Sequence, residues 1–310
     1  MLFIDLYDRY QARLYETPGC VPVLGFEDFG LSSTDLSELA AAGGGDTLAR
    51  LVRGENVDLP PNLTSFLERR LSAIGEWSEG CREPEESIAR FRRAGEKAPE
   101  GKIYAMSEVL ALAGEKKWPE ADALLLDIYS QWRDDPRFPA ISASLGVARR
   151  DLEYAERWLS APSDGALNAL THPLVRKLWS GDINPGLAAA LKEEFPAGWP
   201  SLIRAALSAD LRFYVLLWQK RYRDAGDYAD RMAVLFQKMR LPTGRWLERR
   251  GDAAFYGRDF LAAQASYEES LSKRTDDPSS VLLKLSDVHF ELGNLELERF
   301  YREKIYGALH

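Results

Sequence analysis

The stretch Gly251-Asp252-Ala253-Ala254-Phe255-Tyr256-Gly257-Arg258-Asp259-Phe260-Leu261-Ala262-Ala263-Gln264-Ala265-Ser266-Tyr267-Glu268-Glu269-Ser270 decides the fold. Ala263, Tyr267 and Ser270 are four and three residues apart, so they share one face of a helix. The same order of residue types recurs elsewhere. Trp118, Ala121, Leu125 and Ile128 match Phe260, Ala263, Tyr267 and Ser270. Tyr222, Ala225, Ala229 and Met232 form a weaker copy. Ser87, Phe91 and Ala94, followed by Pro99, form another, with Gly75 taking the role of Gly251. Leu285-Ser286, Gly293-Asn294-Leu295 and Ile305 repeat the pattern 35 residues further on. That last copy is degenerate, because Glu298 and Arg302 replace a small residue and an aromatic.

A recurrence at this period predicts stacked helix–turn–helix units. The expected helices of the second copy are 103–114 and 119–131. These residues resemble the tetratricopeptide repeat (TPR) family over 68–135 and 206–310, with 137–160 as a shortened unit. The resemblance implies an all-α, TPR-like α-solenoid. It divides the chain into a non-repeat helical segment (1–66), an array (67–160), an irregular insert or bend (161–205) and a C-terminal array (206–310).

The non-repeat parts carry their own signals. Leu2, Leu6, Tyr10 and Leu14 predict a first amphipathic helix, and Val21 to Gly30 reads as loop. Asp35 is expected to cap 36–42, Asp46 to cap a helix through Arg53, and Asn62 to cap the helix containing Phe66, Leu67 and Leu71. Gly43-Gly44-Gly45 has neither a preceding strand nor a GK[ST] ending, so it reads as a turn and not a phosphate cradle. Five prolines (162, 173, 185, 196 and 200) limit the 161–200 stretch to short helices such as 187–194.

Composition narrows the function classes. The 310-residue chain is 45% hydrophobic with a formal net charge of −8, which argues against nucleic acid as a partner. Cys20 and Cys81 are in no CxxC pair, and His172, His289 and His310 complete no zinc spacing, so no metal or cofactor is expected. Reduced thiols are the expected state of the two cysteines, with a disulfide between them the alternative. The N-terminus carries acids where a signal peptide needs a basic start, and no run approaches the ~20 apolar residues of a membrane span. The expected location is therefore cytoplasmic, without membrane insertion.

No nucleophile elbow, HExxH, P-loop or dinucleotide fingerprint is present, so the expectation is a non-enzymatic adaptor or scaffold. A peptide- or small-molecule-sensing regulator and an enzyme on a helical scaffold are the rivals. The resemblance places the first-helix residues of each unit on a concave face. In the C-terminal array these include Tyr214, Trp218, Glu248, Asp252, Phe255, Tyr256, Asp287 and Phe290. Acids steer cations and aromatics anchor apolar groups, so the expected occupant is a basic or amphipathic protein segment. Leu297, Phe300, Tyr301, Ile305 and Leu309 on the final helix are expected either to pack back on the preceding unit or to form a homodimer surface.

Overall fold

The computed structural model describes residues 20–159, 172–179, 184–274 and 278–307. The N-terminal amphipathic segment, Asp276, Asp277, Leu309 and His310 lie outside them. Among the described residues every regular element is helical, and no helix is long and apolar enough to cross a membrane. The helices are α1 (Ser33–Ala41), α2 (Thr47–Val52), α3 (Ser65–Arg82), α4 (Ser87–Lys97), α5 (Lys102–Gly114), α6 (Trp118–Trp132), α7 (Phe138–Arg149) and α8 (Leu152–Trp158). They continue as α9 (Pro173–Trp179), α10 (Pro185–Glu194), α11 (Trp199–Trp218), α12 (Tyr222–Lys238), α13 (Gly244–Tyr256), α14 (Phe260–Lys273), α15 (Ser279–Glu291) and α16 (Leu295–Gly307). Two compact units emerge. One holds residues up to Arg150 with Gly181–Arg204, and the other holds Asp151–Ser180 with Ala205–His310. Packing thus groups residues 20–66 with the first expected array, and it divides the 161–205 stretch between the units.

Four hairpins close with one backbone motif. Lys116, Lys220, Arg258 and Gly293 each adopt a left-handed conformation, with φ of 60°, 60°, 64° and 75°. The next residue's N–H then reaches back five residues: Lys117 to the Leu112 carbonyl (2.9 Å), Arg221 to Leu216 (3.0 Å), Asp259 to Ala254 (2.9 Å) and Asn294 to His289 (2.8 Å). This satisfies carbonyls that the helix end would otherwise leave orphaned. The hairpins α5/α6, α11/α12, α13/α14 and α15/α16 share this closure, which also ends α1, α2 and α12 at Gly43, Gly54 and Arg240. In the first three hairpins, the small slot of the second helix is a fully buried alanine: Ala121, Ala225 and Ala263. In α16 it is Glu298, buried and paired with Arg302 at 2.7 Å.

Tyr267 shows why this register needs small partners. It is buried, and its ring lies against Gly251 of α13, where an added Cβ would overlap it. Its hydroxyl donates to Asp252 Oδ1 at 2.7 Å, which holds the ring in place. Gly251→Ala should therefore destabilise the second unit by about 1–3 kcal/mol, the usual cost of overpacking a rigid contact. Urea unfolding of the variant beside the parent protein reads this directly, and an unchanged midpoint would show that α13 and α14 can move apart freely.

The first expected copy departs from this geometry. α3 runs on to Arg82, seven residues beyond Gly75, and a 3-10 turn (Pro84–Glu86) leads into α4 without a left-handed residue. The glycine against Phe91 is consequently Gly80, where a Cβ would lie 2.7 Å from the ring, and Gly75 has open space around it. Spacing alone equated Gly75 with Gly251, but the longer helix shifts the point of close approach.

Caps in the first unit also differ from expectation. Ser32, not Asp35, caps α1. Asp35 sits three residues on and returns a carboxylate to the Ser32 N–H at 2.7 Å, completing a capping box. Thr64 caps α3 in place of Asn62, which takes a left-handed turn with φ of 69°. The loop before α1 folds into a 3-10 turn, Phe26–Phe29, and drives Phe29 into the core against Trp77 (5.3 Å between ring centroids) and Tyr104 (6.1 Å).

The cysteines are a correction. Cys20 and Cys81 form a disulfide, with their Cα atoms 5.5 Å apart, instead of two reduced thiols. It ties the start of this loop to the last turn of α3. The fold brings two residues 61 positions apart into bonding range, which spacing alone does not reveal.

Candidate functional site

The eight residues expected to line the C-terminal groove separate by burial. Glu248, Asp252, Phe255 and Asp287 are buried, Tyr214, Trp218 and Tyr256 are half-buried, and Phe290 is exposed. Phe255 belongs to a core cluster with Ala263, Tyr267, Val281, Leu285 and Val288, so it packs between hairpins. What the sequence suggests as an acidic, aromatic groove is therefore two layers, an inner charged one and an outer aromatic one.

The inner layer is an ion-pair ladder. Lys284 on α15 donates to Glu248 Oε1 at 2.7 Å and to Asp252 Oδ2 at 2.9 Å. Arg274 donates to the other Glu248 oxygen at 2.5 Å. One step earlier, Arg249 donates to Asp210 Oδ1 at 2.7 Å, and Arg245 pairs with Asp210 Oδ2 at 2.8 Å. Arg249 and Lys284 occupy equivalent slots, 35 residues apart, and each grips a carboxylate of the preceding first helix. Burial alone would lower the Lys284 pKa, but Asp252 and then Glu248 raise it, so the ammonium is held charged. Burial and then the Asp252 charge push the Tyr267 phenol well above its ordinary range. Arg245, Arg249, Arg274 and Lys284 thus answer Asp210, Glu248 and Asp252 from within the unit. These cations were missed in the sequence, although the 35-residue spacing of Arg249 and Lys284 was a readable signal.

The outer layer is aromatic. Tyr214 and Trp218, one turn apart on α11, stack with centroids 5.6 Å apart and planes 29° apart. The Arg249 guanidinium lies 5.6 Å from the Tyr214 ring and 4.3 Å from that of Trp246, which stiffens the base of the stack. Burial and then the charge of Asp252, with Tyr222, Tyr214 and Asp287 contributing, raise the Tyr256 phenol above its ordinary value. Tyr214, Trp218, Tyr222 and Tyr256 are all half-buried. Tyr214, Tyr222 and Tyr256 pack against the core cluster that holds Phe213 and Trp246, and Tyr214 is hydrogen-bonded to Arg249, so the rings are fixed in place.

On α16, Leu297 and Phe300 are exposed, whereas Tyr301 and Ile305 are half-buried. Tyr301 stacks on His289, with centroids 5.4 Å apart and planes 7° apart. His289 is buried, and neither ring nitrogen has a hydrogen-bond partner among the described residues. It packs between the last two helices, as its position in the repeat suggests. His172 accepts a bond from the Leu174 N–H through Nδ1 at 3.3 Å.

A second charged cluster, in the first unit, was not foreseen. Arg137, 1% exposed, spends all five donors. They go to Asp135 Oδ1 and Oδ2, Asp28 Oδ1 and Oδ2 and the Pro22 carbonyl, all at 2.7–2.8 Å. Lys102 adds contacts to Asp135 (2.8 Å) and Asp28 (3.2 Å). A cavity of about 350 Å³ beside it is lined by Asp28, Lys102 and Asp135 with Trp132, Lys192 and Trp199. With every Arg137 donor used, the cluster fastens the 20–31 segment to the turn before α7. Among the described residues no group of three or more His, Cys, Asp or Glu side chains is arranged to hold a metal ion.

Comparison with protein-family models finds no match, and comparison with curated proteins finds none either.

Proposed function

We propose that the second unit is a TPR-like array that serves as an adaptor, holding an amphipathic segment of a protein partner on the aromatic face of Tyr214, Trp218, Tyr222 and Tyr256. The observation that carries this reading is the separation of charge from aromatic surface. Glu248 and Asp252 are already paired with Lys284 and Arg274, so little of their field is left to attract a basic ligand. The half-buried rings remain as anchors. The partner's contribution is therefore apolar, and the basic chemistry expected from the acids takes second place. The fully buried alanines Ala225 and Ala263, with Arg249 and Lys284 in equivalent slots 35 residues apart, support an array, which offers a partner a row of equivalent positions.

Selection from a displayed random-peptide library tests the reading on the purified chain. Enriched peptides should share apolar residues at helical spacing. Trp218→Ala with Tyr256→Ala should weaken them about 30-fold, the effect of losing a central anchor worth about 2 kcal/mol. Enrichment of simple polybasic peptides, or indifference of the binders to the double variant, would count against it.

A further inference from the structure

The cavity beside the Arg137 cluster lies wholly within the first unit and sets two ammonium groups against an apolar wall. Leu24, Trp132, Pro136 and Trp199 form the wall, and about 350 Å³ is the small end of the range for ligand pockets. The polar side grows out of the buried cluster. Each oxygen of Asp28 and Asp135 already accepts two or three contacts, from Arg137, Lys102 and the backbone N–H groups of Leu24, Gly25 and Arg137. Those acceptors are spent, but the donors are not. Of the three N–H bonds on each ammonium, Lys102 turns two to Asp28 and Asp135, and Lys192 turns one to Glu27 at 3.0 Å. The rest stay unused on two side chains that line the cavity and are 23% and 36% exposed. Both groups are held in position, Lys102 by its two aspartates and Lys192 by Glu27 and the Trp199 ring, 4.9 Å from its centre.

We propose that this cavity binds a small aromatic monocarboxylate. The carboxylate accepts charge-assisted bonds from Lys102 and Lys192, and the flat ring lies on the wall of Leu24, Trp132 and Pro136. The sign of the ligand follows from the unused donors, since a cation would meet two ammonium groups. Its single charge follows from Glu27 and Asp134, which line the same cavity from exposed positions and repel a second negative charge. The site shares no residue with the aromatic face of the second unit and does not depend on the adaptor reading.

The probe is 2-naphthoate, titrated calorimetrically into the full chain, with 2-naphthyl phosphate and 2-naphthylmethylammonium as companions. Saturable one-to-one binding of the naphthoate is expected, with the phosphate weaker and the ammonium without measurable binding. Lys192→Met should weaken the naphthoate about tenfold, the loss of one hydrogen bond to a charged group, and Lys192→Arg should retain most of the affinity. The Lys192 and Glu27 side chains are 36% and 60% exposed, so their pair adds little to stability and the variant should unfold at the parent's temperature. Asp134→Asn should narrow the gap between phosphate and naphthoate. Trp218→Ala with Tyr256→Ala should leave all three titrations unchanged, so failure here and failure of the aromatic-face reading are separate results. Absence of saturable naphthoate binding, a preference for the phosphate or the ammonium, or a folded Lys192→Met protein that binds like its parent would overturn the proposal.

Discussion

Loss of the Cys20–Cys81 disulfide is expected to lower the stability of the first unit by about 4 kcal/mol, the chain-entropy value for a loop of this length. The bridge spans a sequence separation of 61 and joins Cα atoms 5.5 Å apart, inside the range that a disulfide accepts. The native contacts of the tethered segment do not depend on it. Val21, Leu24 and Phe29 are buried, and Asp28 is held by Arg137 whether or not the sulfurs are bonded. The effect therefore acts mainly through the unfolded chain, which the bridge denies many extended states. Urea unfolding of the oxidised protein, of the same protein in reductant, and of Cys20→Ser with Cys81→Ser measures it. Both treatments should lower the midpoint by the same amount. Two titratable thiols in folded protein isolated without reductant would restore the reduced state. The result also bears on location. A bridge of this kind persists where the surroundings are oxidising, so it pulls against the cytoplasmic expectation drawn from the N-terminal sequence.

Legibility followed the distance over which each feature is determined. Ala263, Tyr267 and Ser270 declared a helix face because helical neighbours are three and four residues apart. The place of the turn between 114 and 119 was legible for the same reason, but the left-handed Lys116, Lys220 and Arg258 were not, because nothing in a lysine or arginine signals that conformation. Even the degenerate last copy kept the turn through Gly293-Asn294 after its packing slots had changed to Glu298 and Arg302. Features that join distant segments were not legible. The Cys20–Cys81 bridge stood only as the alternative to reduced thiols, because nothing local chooses between them, and nothing near Asp28 indicates Arg137, 109 residues away. The candidate groove lies between these cases. Its first-helix positions followed from the period, but the burial of Glu248 and Asp252 depended on Lys284 reaching across from the next hairpin.

Replacing Arg137 with methionine is expected to cost the first unit about 3–5 kcal/mol, the range for removing one partner of a buried ion pair. Arg137 is 1% exposed and is the common donor to Asp28 and Asp135, both buried. Without it, two carboxylates stay in the interior with Lys102 as their remaining ion-pair partner among the described residues. Adding Asp28→Asn and Asp135→Asn should recover much of the loss, because no carboxylate is then stranded in the interior and Lys102, 23% exposed, keeps contact with solvent. Acid should act on the same cluster. Burial alone would raise the Asp135 pKa, but hydrogen bonds from Arg137, then the charges of Arg137 and Lys102, hold it well below the ordinary carboxylate range. A depressed folded-state pKa contributes stability in full above the unfolded value near 3.9 and loses it as pH falls below that value. The parent protein should therefore lose stability steeply below about pH 4, and the Asp28→Asn/Asp135→Asn/Arg137→Met variant more gently. Urea midpoints measured from pH 7 to pH 2.5 separate the two. Parallel acid slopes would mean that the buried cluster does not control acid stability, and an Arg137→Met protein as stable as its parent would mean that solvent reaches the two aspartates once the guanidinium is gone.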